Sequence, residues 1–206
     1  MPAKNSDLHG SAPDKSEVAL LIIDVINDFD FPEADRLLEF ALPMAEQIAQ
    51  LKQRARAAGV PAIYVNDNFG RWRSDFKAQV KHCLSDDNRG RKVVELLQPA
   101  DDDYFVLKPK HSGFYSSALD ILLDYLGVRT VVVTGIAANI CVLFTANDAY
   151  IRDYNLFVPE DCVASNTEQD TRYALDQMRF VLKADIRRSI ELSFDEMIQK
   201  SRRDLG

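Results

Sequence analysis

The sequence predicts an α/β fold over residues 17–206, a single-domain, doubly wound (Rossmann-like) parallel sheet of about six strands with helices on both faces. Three observations predict it. Val18-Ala19-Leu20-Leu21-Ile22-Ile23 is an unbroken apolar run, the pattern of a strand covered on both faces rather than one face of a half-exposed sheet. Thr130-Val131-Val132-Val133-Thr134 is the most β-branched run in the chain and reads as a central strand. Strand-length runs alternate with helix-length segments along the whole chain, as right-handed βαβ crossovers require.

Taken in order, residues 1–16 are polar, with no apolar stretch that could serve as a secretion signal, and are expected to form a flexible tail. The first strand runs to Asp24. A helix is expected over 43–58, stopped at Gly59, the residue suited to a left-handed cap. A second strand follows over 61–66. Residues 68–87 have mixed composition and are expected to be a long loop, a length usually kept for a function. A helix over 89–98 and a third strand over 104–107 come next. A helix over 116–126 ends at Gly127 and leads into the central strand. The remainder gives a helix over 139–152, a strand over 156–158, a helix over 167–182, a short sixth strand over 184–187 and a closing helix over 194–203. No internal repeat or Pro/Gly linker divides the chain.

Composition excludes several classes of function. A net charge of −7 argues against nucleic acid, which needs clustered Lys and Arg. No apolar run is long enough to cross a membrane. Three cysteines, an odd number, do not make a disulfide framework, so a reducing, cytoplasmic compartment is expected. None of the eight glycines builds a phosphate-binding loop.

Chemistry gathers where an open α/β sheet binds ligands, beyond the carboxyl ends of its strands. Those ends carry Asp24, Asp67, Lys108 and, past Gly135, Cys141. A thiol attacks only as thiolate, so it needs a base for its proton and positive charge for the anion. Asp24 at the end of a buried strand can be the base, and Lys108 the cation. Cys141 falls at the start of a predicted helix, whose free N–H groups favour an anion and can face the oxyanion of a tetrahedral intermediate. Phe29, Asn68, Phe69, Trp72, Phe114 and Tyr115 follow strands and are the candidate substrate-binding residues of an aromatic pocket. Trp72, flanked by Arg71 and Arg73, suits a lid or a subunit contact. Cys162 is expected to be buried packing, and His82 and Cys83 incidental.

Three segments carry a family resemblance. Leu21-Ile22-Ile23-Asp24-Val25-Ile26-Asn27-Asp28-Phe29, Val106-Leu107-Lys108-Pro109-Lys110-His111-Ser112-Gly113-Phe114 and Val133-Thr134-Gly135-Ile136-Ala137-Ala138-Asn139-Ile140-Cys141-Val142 occur in that order, with Thr145, Ala146 and Ala149 after the last. From Val18 to about Asn166 the chain resembles the isochorismatase-like cysteine hydrolases, which include nicotinamidases and N-carbamoylsarcosine amidases. The resemblance implies Asp24 as general base, Cys141 as nucleophile and Lys108 as the group stabilising the thiolate. It also implies a cis peptide between Ile136 and Ala137 that aims the N–H groups of Ala137 and Cys141 at the oxyanion. The implied activity is hydrolysis of a small amide, ureido or lactam C–N bond through a thioester, in a dimer or tetramer. The alternatives are isochorismatase-type ether hydrolysis and a non-enzymatic interaction protein that retains the fold.

The departures from that family are specific. Metal-dependent nicotinamidases carry Asp-x-His after the second strand, but here Phe69 stands two residues after Asp67. Only His9, His82 and His111 exist, and none has ligand-like spacing with Asp67. The expectation is no metal, no cofactor and a substrate other than nicotinamide.

Overall fold

Strand β1 (Val18–Ile23) is buried along its whole length and lies in the middle of the sheet, as its unbroken apolar sequence requires. The computed structural model of the chain describes residues 15–68 and 75–203. β1 pairs in parallel with β2 (Ala62–Asp67) on one side and β4 (Thr130–Ile136) on the other. β3 (Tyr104–Lys108) and β5 (Asn155–Phe157) extend the order to β3-β2-β1-β4-β5, and β6 (Val163–Ala164) pairs with the end of β4. All of these pairings are parallel.

Helices cover both faces, and alternate residues of β1 divide between the two layers. Val18, Leu20 and Ile22 join one core with α1 (Ala34–Ala57), α3 (Arg91–Leu96) and α7 (Phe194–Arg203). Ala19, Leu21 and Ile23 join the other with α4 (Leu119–Leu126), α5 (Leu143–Ile151) and α6 (Glu168–Phe180). Each fully buried Leu or Ile contributes about 1.5–3 kcal/mol through burial, so the central strand anchors both layers. Among the described residues no helix is long and apolar enough to cross a membrane.

Three elements differ from the sequence expectation. α1 begins at Ala34, with Pro43 inside it. The buried positions Leu37, Ala41, Met44, Ile48, Leu51 and Ala55 form one continuous apolar face, and its burial outweighs the proline's local preference for a helix start. The segment expected as a bare loop contains α2 (Phe76–Cys83), capped by Asp75, whose side chain accepts from the Ala78 N–H at 2.7 Å. The sixth strand is Val163–Ala164 and not residues 184–187, which contribute only an isolated bridge between Asp185 and Phe157.

Gly135 explains how closely β1 and β4 approach beside the site. Its φ is +112°, and a Cβ there would lie 2.1 Å from the Ile23 carbonyl oxygen. Gly135→Ala is expected to cost roughly 1–3 kcal/mol, because backbone rather than a movable side chain must yield. The same displacement would shift Asp24, so activity should fall with stability. Urea denaturation beside an activity assay would test this, and wild-type values in both would contradict the account.

Candidate active site

The chain leaves β1 for β2 and β3 on one side, then returns to β4 on the other. The carboxyl ends of β1 and β4 therefore flank the switch point where open α/β sheets form a crevice. Asp24, the first residue past β1, has φ of +52°, a left-handed conformation that Asp tolerates better than most residues. Its N–H donates to the Val65 carbonyl at 3.1 Å. The loop beyond is latched by Asn66, whose side chain accepts from the Ile26 N–H at 3.1 Å and donates to the Ile26 carbonyl at 2.9 Å. A polar residue with no solvent exposure inside an apolar strand is the sequence signal for that latch.

Lys108 ends β3, in register with Asp67 of β2. Its side chain is fully buried, yet its Nζ lies 2.8 Å from Asp24 Oδ2 and 3.6 Å from Cys141 Sγ. The same Nζ donates to the Lys110 carbonyl at 3.2 Å, and Asp67 Oδ2 is 3.9 Å away. Asp24 Oδ1 accepts from the Asp67 N–H at 2.6 Å, and the Asp24 carboxylate also bonds to Cys141. The structure thus brings Asp24, Lys108 and Cys141 together. All three cysteines are free, Cys83 and Cys162 being fully buried.

Cys141 sits in a π-helical turn, Ala138–Val142, between β4 and α5, and not in the first turn of an α-helix as expected. The peptide between Ile136 and Ala137 is cis. Two hydroxyl groups fasten the turn. Ser165 Oγ accepts from the Asn139 N–H at 3.2 Å, and Thr145 Oγ1 donates to the Cys141 carbonyl at 2.7 Å. Thr145 Oγ1 also accepts from the Gly113 N–H at 2.9 Å, tying the turn of Cys141 to the loop after Lys108.

The electrostatics set the resting protonation. Burial opposes the charge on Lys108, but Asp24, Cys141 and Asp67 outweigh it and raise its pKa. Burial pushes the Asp24 carboxyl above the usual range, against the pull of Lys108. Burial, and then the Asp24 carboxylate, push the Cys141 thiol up to about 12. Lys108 alone would draw the thiol toward its anion. Burial and the adjacent carboxylate dominate instead, so the sulfur is protonated at rest.

The other sequence candidates are placed differently. Phe29 is fully buried in the first core and Phe114 nearly so in the second, its ring tilted against Tyr154 and lying under Arg152. Both side chains pack inside the protein instead of facing a pocket, since the loops carrying them fold back onto the helix layers. Asn68 is buried, its N–H donating to the Lys108 carbonyl at 3.2 Å, and Tyr115 is exposed. Phe69 and Trp72 lie outside the described residues. His111, set aside for want of metal-ligand spacing, has its Nδ1 3.9 Å from Cys141 Sγ. Its position three residues after Lys108 was the available signal.

A family model described as the Isochorismatase domain matches residues 18–186. The chain belongs to the isochorismatase family. Within that family it is 45% identical over 172 residues to the uncharacterized isochorismatase family protein YaaI of Bacillus subtilis (strain 168), covering 84% of this chain and 94% of that one. The crystal structure of N-carbamoylsarcosine amidase from Thermoplasma acidophilum matches with a TM-score of 0.65 at 31% identity, covering 86% of this chain and 99% of that chain. The ureidoacrylate amidohydrolase RutB of Methylorubrum extorquens is 31% identical over 132 residues, 54% of this chain and 53% of the relative. The chain therefore spans about half the length of that relative. Isochorismatase relatives named as acting on C–N bonds thus stand among its neighbours in both sequence and structure.

Proposed function

We propose that this isochorismatase-family chain hydrolyses a C–N bond of a small amide, ureido compound or lactam through a thioester on Cys141. The observation that carries the proposal is the meeting of three side chains, with Lys108 Nζ 2.8 Å from Asp24 and 3.6 Å from Cys141 Sγ. Two relatives named for ureido or amide hydrolysis support the choice of bond.

In the proposed mechanism, Asp24 takes the Cys141 proton as the sulfur attacks the carbonyl carbon. Lys108 offsets the negative charge that passes between sulfur and carboxylate. The N–H groups of Ala137 and Cys141 are assigned to the oxyanion, where such donors are worth a few kcal/mol of barrier. Asp24 then gives its proton to the leaving nitrogen, the C–N bond breaks, and the acyl group remains on sulfur. Asn68 and Tyr115, beside the ends of β2 and β3, are assigned to the substrate pocket. Phe29 and Phe114 buttress it from the two cores.

Residues for the metal of the nicotinamidase branch do not fit here. Asp67 Oδ2 faces the Lys108 ammonium at 3.9 Å, and Phe69 supplies no ligand atom at the position where that branch carries His. No step of the mechanism passes through a metal.

Cys141→Ala should abolish ammonia release from small amides and ureido compounds while leaving the thermal unfolding transition near that of wild type. Full ammonia release by a folded Cys141→Ala protein would overturn the thioester and point to direct attack of water on the C–N substrate.

A further inference from the structure

The outer face of α6 carries an ordered row of charge. Glu168, Arg172, Asp176 and Arg179 follow one another at spacings of four, four and three residues, so they project from one side of the helix. Their signs alternate along the row. Such spacings allow ion pairs within the helix, yet among the described residues none of the four forms one. On one side of the row lies a cavity of about 590 Å³ between α6 and α1. All four charged residues line it, together with the apolar Phe40, Met44, Val163 and Leu175. On the other side of the row stand Tyr173 and Phe180, one two-turn step apart and both 62% exposed.

The order of the charges selects what fits against them. Read along the helix they run minus, plus, minus, plus, a pattern that is its own complement when reversed. A second α6 laid antiparallel, across a two-fold axis near Ala174, sets Arg172 against the partner's Asp176 and Glu168 against the partner's Arg179. Symmetry repeats both contacts, so each of the four charges meets its opposite. A parallel arrangement would set each charge against its like. The chain carries a net charge of −7, so two copies repel one another over most of their surface. The row itself is balanced, with two acids and two bases, and lets them approach. The same axis keeps the aromatic side of one helix on the aromatic side of the other. Tyr173 falls nearest the axis, beside the partner's Tyr173.

We propose that this face of α6, with the cavity beside it, is a two-fold interface between two copies of this chain. Burial of Tyr173, Phe180 and the apolar lining of the cavity supplies the attraction, as aromatic side chains do at the centres of interfaces. The charge row fixes orientation and register, which is the main contribution of charges at such surfaces. The interface also backs the candidate active site. Thr171, which lines the same cavity, accepts through Oγ1 from the Ser165 N–H at 3.0 Å. Ser165 Oγ in turn accepts from the Asn139 N–H, two residues before Cys141. A second copy packed on α6 therefore supports the segment that fastens the turn of Cys141. Association itself is independent of the thioester chemistry proposed above.

Sedimentation velocity of the full chain and of charge-reversed variants tests this. The wild-type chain should sediment at micromolar concentration as a dimer or a larger even-numbered assembly. Arg172→Glu and Asp176→Arg should each sediment at half that mass, with the dissociation constant raised roughly 10²-fold, because each sets like charges face to face twice over. Mixed in equal amounts, the two variants should associate again. The acid introduced by Arg172→Glu then faces the base introduced by Asp176→Arg, and the native Asp176 of one faces the native Arg172 of the other. The double variant Arg172→Glu/Asp176→Arg should associate on its own for the same reason. A wild-type chain that stays monomeric would overturn the proposal, as would an assembly that neither single variant weakens. Single variants that dissociate but fail to recombine on mixing would also overturn it, by tracing the loss to misfolding of α6 or to another surface.

Discussion

A Lys108→Met variant is expected to lose roughly 3–5 kcal/mol of stability together with essentially all turnover, because it strips a buried carboxylate of its counter-charge. Lys108 has no exposed surface, and its Nζ makes the 2.8 Å contact to Asp24. Met fills a similar volume, so packing is conserved and the loss isolates the charge. Asp24 would then take up a proton at neutral pH, since burial already pushes its pKa upward and Lys108 is the opposing influence. A protonated Asp24 cannot accept from the thiol, and catalysis stops. The double variant Lys108→Met/Asp24→Asn should recover much of the lost stability, because it replaces the pair with two neutral groups, while remaining inactive. Urea denaturation of the four proteins makes the comparison. A single variant as stable as wild type would mean that the pair is not a buried ion pair in solution.

Much of this arrangement was legible in the sequence for a physical reason. A strand buried on both faces cannot alternate, so Val18–Ile23 announced both its class and its central place. With strands located, the rule that ligands gather at their carboxyl ends brought Asp24, Asp67, Lys108 and Cys141 to one edge, and the family resemblance singled out Asp24, Lys108 and Cys141 among them. What stayed hidden was whatever depends on packing between distant segments. The face of α1 extends upstream of Pro43 because the first core is there to receive Leu37 and Ala41. α2 is short, and its apolar positions Phe76 and Cys83 are interspersed with polar residues that masked its period. Phe29 and Phe114 carry the same ambiguity. An aromatic residue just past a strand can face a pocket or the core, and only the path of its loop decides.

The protonation state of Cys141 was the least legible property of all. Lys108 and the helical turn were visible in the sequence, and both favour a thiolate. The depth of burial and the approach of Asp24 are properties of the assembled fold, and they win. In the proposed mechanism a proton acceptor, Asp24, thus stands against the Cys141 thiol before substrate arrives. On that mechanism charge separation is deferred until a carbonyl carbon is present to receive the sulfur.

Asp24→Asn separates these two roles most sharply, because it should make the sulfur more reactive toward a simple electrophile while removing turnover. In wild type, burial and the Asp24 carboxylate both raise the thiol, to about 12, so alkylation by iodoacetamide should be slow at pH 7 and climb through the alkaline range. Asn keeps the shape and can still accept from the Asp67 N–H, but it removes the negative charge beside the sulfur. Lys108 then stands 3.6 Å from Sγ without its carboxylate partner, and the thiol pKa should fall. The alkylation profile should therefore move to lower pH, with faster labelling of Cys141 at neutrality. Cys83 and Cys162 have no exposed surface and should not contribute, which peptide mass mapping would check. Amide turnover should meanwhile fall by roughly 10²–10⁴-fold, since no group remains to take the thiol proton and pass it to the leaving nitrogen. Slower alkylation in Asp24→Asn would mean that the carboxylate acidifies the thiol instead of holding its proton in place. The same proton would then have to leave by another route, and Asp24 would lose its assignment as base.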